Sequence, residues 1–110
     1  MALNLNKKLK SFRDDLKVLC DNVFHYNTTD STDEYIVWME DGEASAISSD
    51  NGKEEQEITI YVDLYTKKEY SELVDDLQDL FQIRRYGFQL NAVQFEEDTS
   101  FIHYTWQVQV

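Results

Sequence analysis

Residues 57–66 alternate between apolar and polar side chains more regularly than any other part of the chain, and this limits how the rest can fold. A period of two is typical of a β-strand whose two faces lie in different surroundings. One face carries Tyr61, Asp63 and Tyr65, a mixture of phenols and a carboxylate that suits contact with a partner. The other face is aliphatic and predicts burial in a core: Ile58, Ile60, Val62 and Leu64.

The remaining apolar patterns predict two helices and three further strands. Apolar residues at steps of three and four predict a first helix over residues 3–24 and a second over residues 67–82. Thr66-Lys67-Lys68-Glu69 has the form of a capping box, so the second helix is expected to follow the strand directly. Alternating β-branched and aromatic residues predict strands over residues 34–39, 88–96 and 101–110.

These elements follow one another in the order α-β-β-α-β-β, which predicts an α+β fold. The helices are expected to cover one face of an antiparallel-rich mixed sheet. The strand at residues 34–39 has apolar residues on both faces and predicts burial on both. A chain of 110 residues is the size of one domain, with a core that needs no disulfide. Cys20 is the single cysteine, and its place in the first helical pattern indicates a packing role.

The charge of the chain argues against several classes of partner. Acidic residues outnumber basic ones by 22 to 10, and the formal net charge is -12. This balance disfavours DNA, RNA and anionic membranes. The first 20 residues carry five basic and two acidic groups, whereas residues 27–57 carry ten acidic groups and only Lys53. A dipolar subunit of this kind can associate head-to-tail into stacks or rings.

No segment of the chain has the character of a signal peptide or a membrane span. The N-terminus lacks an apolar core segment, and no apolar run approaches about 18 residues. We therefore expect a protein that is made in the cytoplasm and is neither exported nor embedded in a membrane.

The chemistry of an enzyme is absent at recognisable spacing. The sequence shows no nucleophile with a base, no phosphate loop and no cluster of metal ligands. His25 at the end of the first helix and His103 on a strand face fit structural or exposed roles better than catalysis. The acidic segment departs from a calcium loop because Ala46 stands where that loop needs glycine. We expect no catalytic residue, no metal and no cofactor.

Two groups of residues are candidates for contact with partners. Tyrosine and tryptophan bury a large apolar area and keep a polar tip, so they are frequent in interfaces. The predicted subunit interface comprises Trp38, Tyr61, Asp63, Tyr65 and Trp106, with a role in the core as the alternative for each aromatic residue. Residues 41–55 are expected to form an extended acidic loop or hairpin. The carboxylates of this segment that are expected to face a partner are Glu40, Asp41, Glu43, Asp50, Glu54 and Glu55.

Three blocks of sequence together resemble a known family. They are Tyr-Ile-Val-Trp-Met-Glu-Asp-Gly-Glu at residues 35–43, Val-Asp-Leu-Tyr-Thr-Lys at 62–67, and Val-Gln-Phe-Glu-Glu-Asp-Thr-Ser-Phe-Ile-His-Tyr-Thr-Trp at 93–106. In this order they resemble the small tail-completion or tail-terminator proteins, which join head and tail in long-tailed bacteriophages and prophages. The resemblance covers the chain from about residue 35 to its end. Ser100 departs from it, because a glycine is expected in that turn.

The resemblance implies a structural protein without catalysis. Such a subunit closes into a hexameric ring on the tail tube, where it contacts the tube protein and the head-connector protein. It would act in the bacterial cytoplasm during assembly and then in the tail or neck of the virion. In such a ring, the carboxylates of residues 40–55 would line an acidic lumen, which would keep passing DNA from sticking. Two alternatives from other classes stay open: a stand-alone acidic module that captures a basic partner, and a small enzyme with a site assembled from scattered residues.

Overall fold

The computed structural model describes residues 4–28, 32–43 and 56–110. In these residues the chain forms two helices and five strands, so the α+β class is confirmed. The predicted order is matched apart from one additional short strand. The elements are α1 (Leu5–Leu19), β1 (Val23–His25), β2 (Glu34–Glu43), β3 (Ile58–Thr66), α2 (Glu72–Ile83), β4 (Gly87–Glu96) and β5 (Phe101–Gln109).

The strands form one mixed sheet in the order β1-β2-β3-β5-β4. β1 runs parallel to β2, and the other three neighbouring pairs are antiparallel, as the prediction of an antiparallel-rich sheet requires. The strand with the clearest alternation, β3, is the central one. Its register places Val62 between Trp38 on β2 and Trp106 on β5. This row is the middle of the core.

Both helices pack on the face that carries this row, as predicted. The apolar stripes of α1 and α2 supply the other half of the core, with Phe12, Leu16, Leu77 and Phe81 fully buried. The alternation of β3 is confirmed, because its aliphatic residues are buried and Tyr61, Asp63 and Tyr65 are only partly so. The residues that form the core cluster on the strands are Val23, Ile36, Trp38, Ile58, Ile60, Val62, Leu64, Trp106 and Val108.

The predicted end of the first helix is wrong. α1 stops at Leu19, since Cys20 already has an extended backbone, with φ -151 and ψ 134. The apolar residues that follow continue the helical spacing but form β1, which pairs with Ile36 to Trp38 of β2. Cys20 itself packs against the core, and burial raises the pKa of its thiol.

The predicted start of the second helix is also wrong. Tyr70 has a left-handed backbone with φ 59, so the helix begins only after it. Ser71 caps α2 by accepting a hydrogen bond from the Leu73 N–H at 3.2 Å. The Thr66 hydroxyl, expected to act as the cap, instead donates to Glu34 at 2.7 Å. β2 extends to Glu43, and residues 44–55 of the predicted acidic loop lie outside the described residues.

Glu34 holds the start of α2 against the sheet. Its carboxylate accepts hydrogen bonds from the Thr66 and Ser71 hydroxyls, and the Lys68 ammonium lies 3.5 Å away. Burial alone would raise the pKa of Glu34, but these hydrogen bonds and the nearby positive charge outweigh it and hold the pKa below its usual range. An ionised Glu34 therefore stabilises the fold.

Replacing Glu34 by glutamine should test this role. A lowered folded pKa gives stability that is present above the pKa of the unfolded chain, about 4.3, and is lost as the pH falls through the folded pKa. Glu34→Gln should therefore lower the free energy of unfolding by about 1–3 kcal/mol at neutral pH and flatten its decline below about pH 5. Urea unfolding across this range measures both effects. Glu69→Gln, exposed in the same turn, is the control, and an equal loss in both variants would contradict the assignment.

Ser100 occupies a position that favours glycine, because its backbone is left-handed. It ends the turn between β4 and β5 with φ 63, and its N–H donates to the Glu96 carbonyl at 2.8 Å. A residue with a Cβ is strained in this left-handed region, whereas glycine is not.

Ser100→Gly should raise the free energy of unfolding by about 0.5–1 kcal/mol, because it removes this strain at some cost in chain entropy. Asp98→Gly in the same turn is the matched control. Asp98 lacks a positive φ, so its replacement should only lose stability. Denaturant unfolding measures both, and a gain in both variants would show that strain is not the cause.

Candidate functional site

One face of the sheet carries no described helix, and we call it the open face. It is formed by the odd-numbered side chains of β3 and β5 and by those of β2 up to Met39, after which the pairing of β2 with β3 shifts. Met39 on this face is 39% exposed, so the prediction that β2 is buried on both faces is wrong. The described side chains that define the open face are Phe24, Tyr35, Val37, Met39, Tyr61, Asp63, Tyr65, Phe101, His103, Thr105 and Gln107.

Four rings form an ordered aromatic cluster at one end of the open face: Tyr35, Tyr65, Phe101 and His103. Tyr65 is stacked between Tyr35, at 4.8 Å, and His103, at 4.1 Å, because the three residues are paired across β2, β3 and β5. Phe101 meets both tyrosines edge-on at 5.7 and 6.2 Å. The Lys67 ammonium lies 5.0 Å from the centre of the Phe101 ring. Cross-strand packing thus fixes the orientation of these rings in the unbound protein.

Polar groups lie beside the aromatic cluster. The Asp63 carboxylate is 2.8 Å from His103 Nε2 and accepts a hydrogen bond from the Thr105 hydroxyl, also at 2.8 Å. The other ring nitrogen, His103 Nδ1, is 3.6 Å from Glu96. These contacts orient the imidazole, which stacks flat on Tyr65.

This polar group does not form a nucleophile with its base. The Thr105 hydroxyl lies 3.3 Å from His103 Nε2, but its proton is directed to Asp63. An ionised Asp63 can only accept, so Nε2 carries a proton and cannot take one from Thr105.

The tyrosines of the cluster stay neutral at physiological pH. Burial, with the charges of Asp63 and Glu96 and the neighbouring Tyr35, raises the pKa of Tyr65 to about 12. Burial and Glu96 also raise the pKa of Tyr35. Both phenols can therefore donate hydrogen bonds to a partner, and neither serves as a base.

The structure brings together only part of the predicted interface. Tyr61, Asp63 and Tyr65 lie on the open face. Trp38 and Trp106 do not, since they are 2% and 0% exposed, and this corrects their assignment to an accessible interface. Even-numbered residues of β2 and β5 face the helices, and the Trp106 indole donates to Gln78 on α2 at 3.1 Å. Both tryptophans are core residues.

The sequence alone did not reveal the partners of Tyr65. Tyr35, Phe101 and His103 complete the aromatic cluster, and the alternation of β5 placed Phe101 and His103 on one face without showing which face meets the core. Their contact with Tyr65 depends on the pairing of β5 with β3, and the sequence alone does not show this pairing.

The described carboxylates of the acidic segment are partly engaged. Glu40 is 2.8 Å from His25 Nε2. Burial would raise the pKa of Glu40, but hydrogen bonds from Tyr26 and His25 outweigh it and lower the pKa. His25 lies in β1, stacked on Trp38 at 4.0 Å, and not at a helix end as predicted. Asp41 and Glu43 are exposed on β2, and Glu43 accepts from the Gln56 amide at 2.9 Å. Asp50, Glu54 and Glu55 lie outside the described residues.

A cavity of about 810 Å³ lies on the other side of the sheet, between the end of α1 and the start of α2. Cys20, Glu34, Lys68 and Ser71 line it. Its central carboxylate, Glu34, is already bound by two hydroxyls and a lysine. In the described part of the chain, no group of three or more His, Cys, Asp and Glu side chains is placed to hold a metal ion.

Neither of the two described helices combines the length and apolar character needed to cross a membrane.

Comparison with known proteins identifies no relative. No model of a known protein family matches the chain, and no curated protein sequence matches it significantly.

Titration of the tyrosines should show the enclosure of Tyr65. Tyr65→Phe should remove a phenolate transition near pH 12, and Asp63→Asn should move that transition to lower pH. A raised folded pKa gives stability that is present below the unfolded value of about 10 and is lost as the pH rises towards the folded value. Ultraviolet absorbance measures the titration. Tyr70→Phe, at an exposed turn, is the control and should leave this transition unchanged.

Proposed function

We propose that this protein is a non-enzymatic structural subunit of a long-tailed bacteriophage or prophage, a tail terminator or tail-completion protein. In this proposal it forms a ring, expected to be a hexamer, that caps the tail tube and joins it to the head connector. It acts in the host cytoplasm during assembly and afterwards in the tail or neck of the virion. The observation that carries the proposal is the open face, a tyrosine-bearing surface on a sheet whose other face is packed by helices.

The aromatic cluster favours contact with a large, flat partner. Tyr35, Tyr65 and His103 are held by stacking on one another, so binding costs them little side-chain entropy. Tyrosine-rich surfaces of this kind are enriched in protein interfaces. Asp63 and the two phenols add polar groups that can set the orientation of a partner.

The distribution of charge supports a ring, in which each subunit contacts its neighbours through two different surfaces. α1 contacts β1, whereas α2 starts beside Glu34 on β2 and ends on Phe88 of β4. The exposed side of α1 carries Lys7, Lys10 and Lys17, whereas that of α2 carries Glu72, Asp75, Asp76 and Asp79. Opposite charges on the two helices would favour head-to-tail association of successive copies.

Solution mass across a concentration series tests the proposal, with negative-stain images of the same fractions. We expect rings for the native chain, alone or with tail-tube protein. Tyr61→Asn and Tyr65→Asn should weaken assembly by about tenfold or more, because each removes an aromatic ring from the open face. Tyr70→Asn is the matched control, since Tyr70 is 89% exposed on a turn away from the open face. Circular dichroism confirms that each variant is folded.

Normal assembly of both open-face variants would contradict this interface. A native chain that stays monomeric with tail-tube protein, yet forms a salt-sensitive complex with a basic partner, would favour the acidic binding module instead.

A further inference from the structure

Strand β4 forms one outer edge of the described sheet. Among the described residues it pairs only with β5, so the backbone along its other side is available for ten residues, Gly87–Glu96. The opposite edge, β1, has only three residues. A long free edge presents a row of donors and acceptors that can pair with another strand.

β4 lacks the features that usually protect such an edge. Residues 87–95 contain no charged residue and no proline, although 29% of the chain is charged. Edge strands are commonly protected by charge, by proline or by short length. The one protective feature here is an irregularity in pairing between Leu90 and Ala92. The sequence of β4 therefore favours strand addition.

An exposed apolar strip runs along β4 and consists of Leu90, Val93 and Phe95. These side chains are 41%, 51% and 62% exposed. Their pairing with Trp106, Tyr104 and Ile102 of β5 places them on the helix-covered side of the sheet.

The path of α2 explains why the strip is uncovered. The helix starts beside Glu34 on β2, where Ser71 is anchored, and ends with Phe81 packed at 5.4 Å on Phe88 at the beginning of β4. It therefore crosses the sheet diagonally and does not reach the far end of β4. The strip is a consequence of this crossing.

We propose that β4 pairs antiparallel with β4 of a second copy of this chain, about a two-fold axis at Gln94. Two copies with a net charge of -12 repel each other over most of their surfaces, and neutral β4 is where they can approach at least electrostatic cost. The partner must supply an uncharged extended strand that is apolar on one face, and β4 itself meets both requirements. A two-fold contact uses the same surface twice.

The register at Gln94 follows from the side chains. It places Phe95 opposite Val93 of the second copy, and this pair of aromatic and β-branched residues occurs twice. It also places Glu96 opposite Ala92, which keeps the two carboxylates apart. The contact goes beyond the proposed function, because it uses the edge of the sheet and not the open face.

Disulfide cross-linking tests the register directly. In a Cys20→Ser background, Gln94→Cys should form a disulfide-linked dimer on mild oxidation, since residues paired at the axis have the separation that a disulfide needs. Gln82→Cys in the same background, exposed on α2, is the control and should stay monomeric. The result is seen on a non-reducing gel. Absence of the Gln94 cross-link, or equal cross-linking of the control, would overturn the proposal.

Sedimentation equilibrium tests the apolar strip. Val93→Lys should raise the dimer Kd by about tenfold or more, because pairing would bury an unpaired ammonium against Phe95. Ile83→Lys, at a 77% exposed position on α2, is the matched control and should leave the Kd unchanged. Thermal unfolding confirms that both variants fold. A Val93→Lys chain that associates like the native chain would overturn the contact.

The open-face variant Tyr61→Asn separates this contact from the ring proposed above. Loss of rings with the Gln94 cross-link retained would support the β4 contact as an independent one. If the cross-link is lost together with the rings, the β4 contact is not independent of the open face, and the proposed two-fold contact is wrong.

Discussion

The central position of β3 is the constraint on which the rest of the structure depends. A strand paired on both sides has no free edge, so its side chains can meet other layers only through its two faces. In β3 one face is aliphatic and the other carries Tyr61, Asp63 and Tyr65. The aliphatic face is buried under the two helices, whereas no described helix covers the polar aromatic face. The register of β2 and β5 with β3 places their side chains on the same two sides of the sheet. One side therefore holds the core, and the other holds the open face.

Glu34 decides how the helical layer lies on the sheet. A carboxylate among two hydroxyls and a lysine fixes the start of α2 over β2, and the aromatic contact of Phe81 fixes its end over β4. A helix held at these two points must cross the strands obliquely. The far end of β4 is then left without cover, so a partly buried carboxylate on β2 accounts for an exposed apolar strip on β4.

Charge limits which surfaces of this protein can meet a second copy. A net charge of -12 makes close approach costly wherever carboxylates face each other. The open face has few charges and fixed aromatic rings, and β4 has no charge before Glu96. In the proposed ring, the lysines of α1 and the carboxylates of α2 would attract each other in successive copies. The proposed self-association depends on these features.

The sequence by itself determined the two faces of β3, because period-two alternation is a local property of the strand backbone. It also predicted the alternation of β5, without showing which of its faces meets the core. It determined the existence of both helices for the same reason, since their apolar stripes follow the helical period. Which face of β5 meets the core was left open, so Trp106 was wrongly assigned to the subunit interface. Trp38 carried no signal for either face, since both faces of β2 are apolar. The stacking of Tyr65 on His103, the left-handed backbone of Tyr70 that delays α2, and the pairing of Val23–His25 as a strand were decided only by tertiary structure. Each depends on residues distant in the chain, whose register and contacts no local pattern encodes.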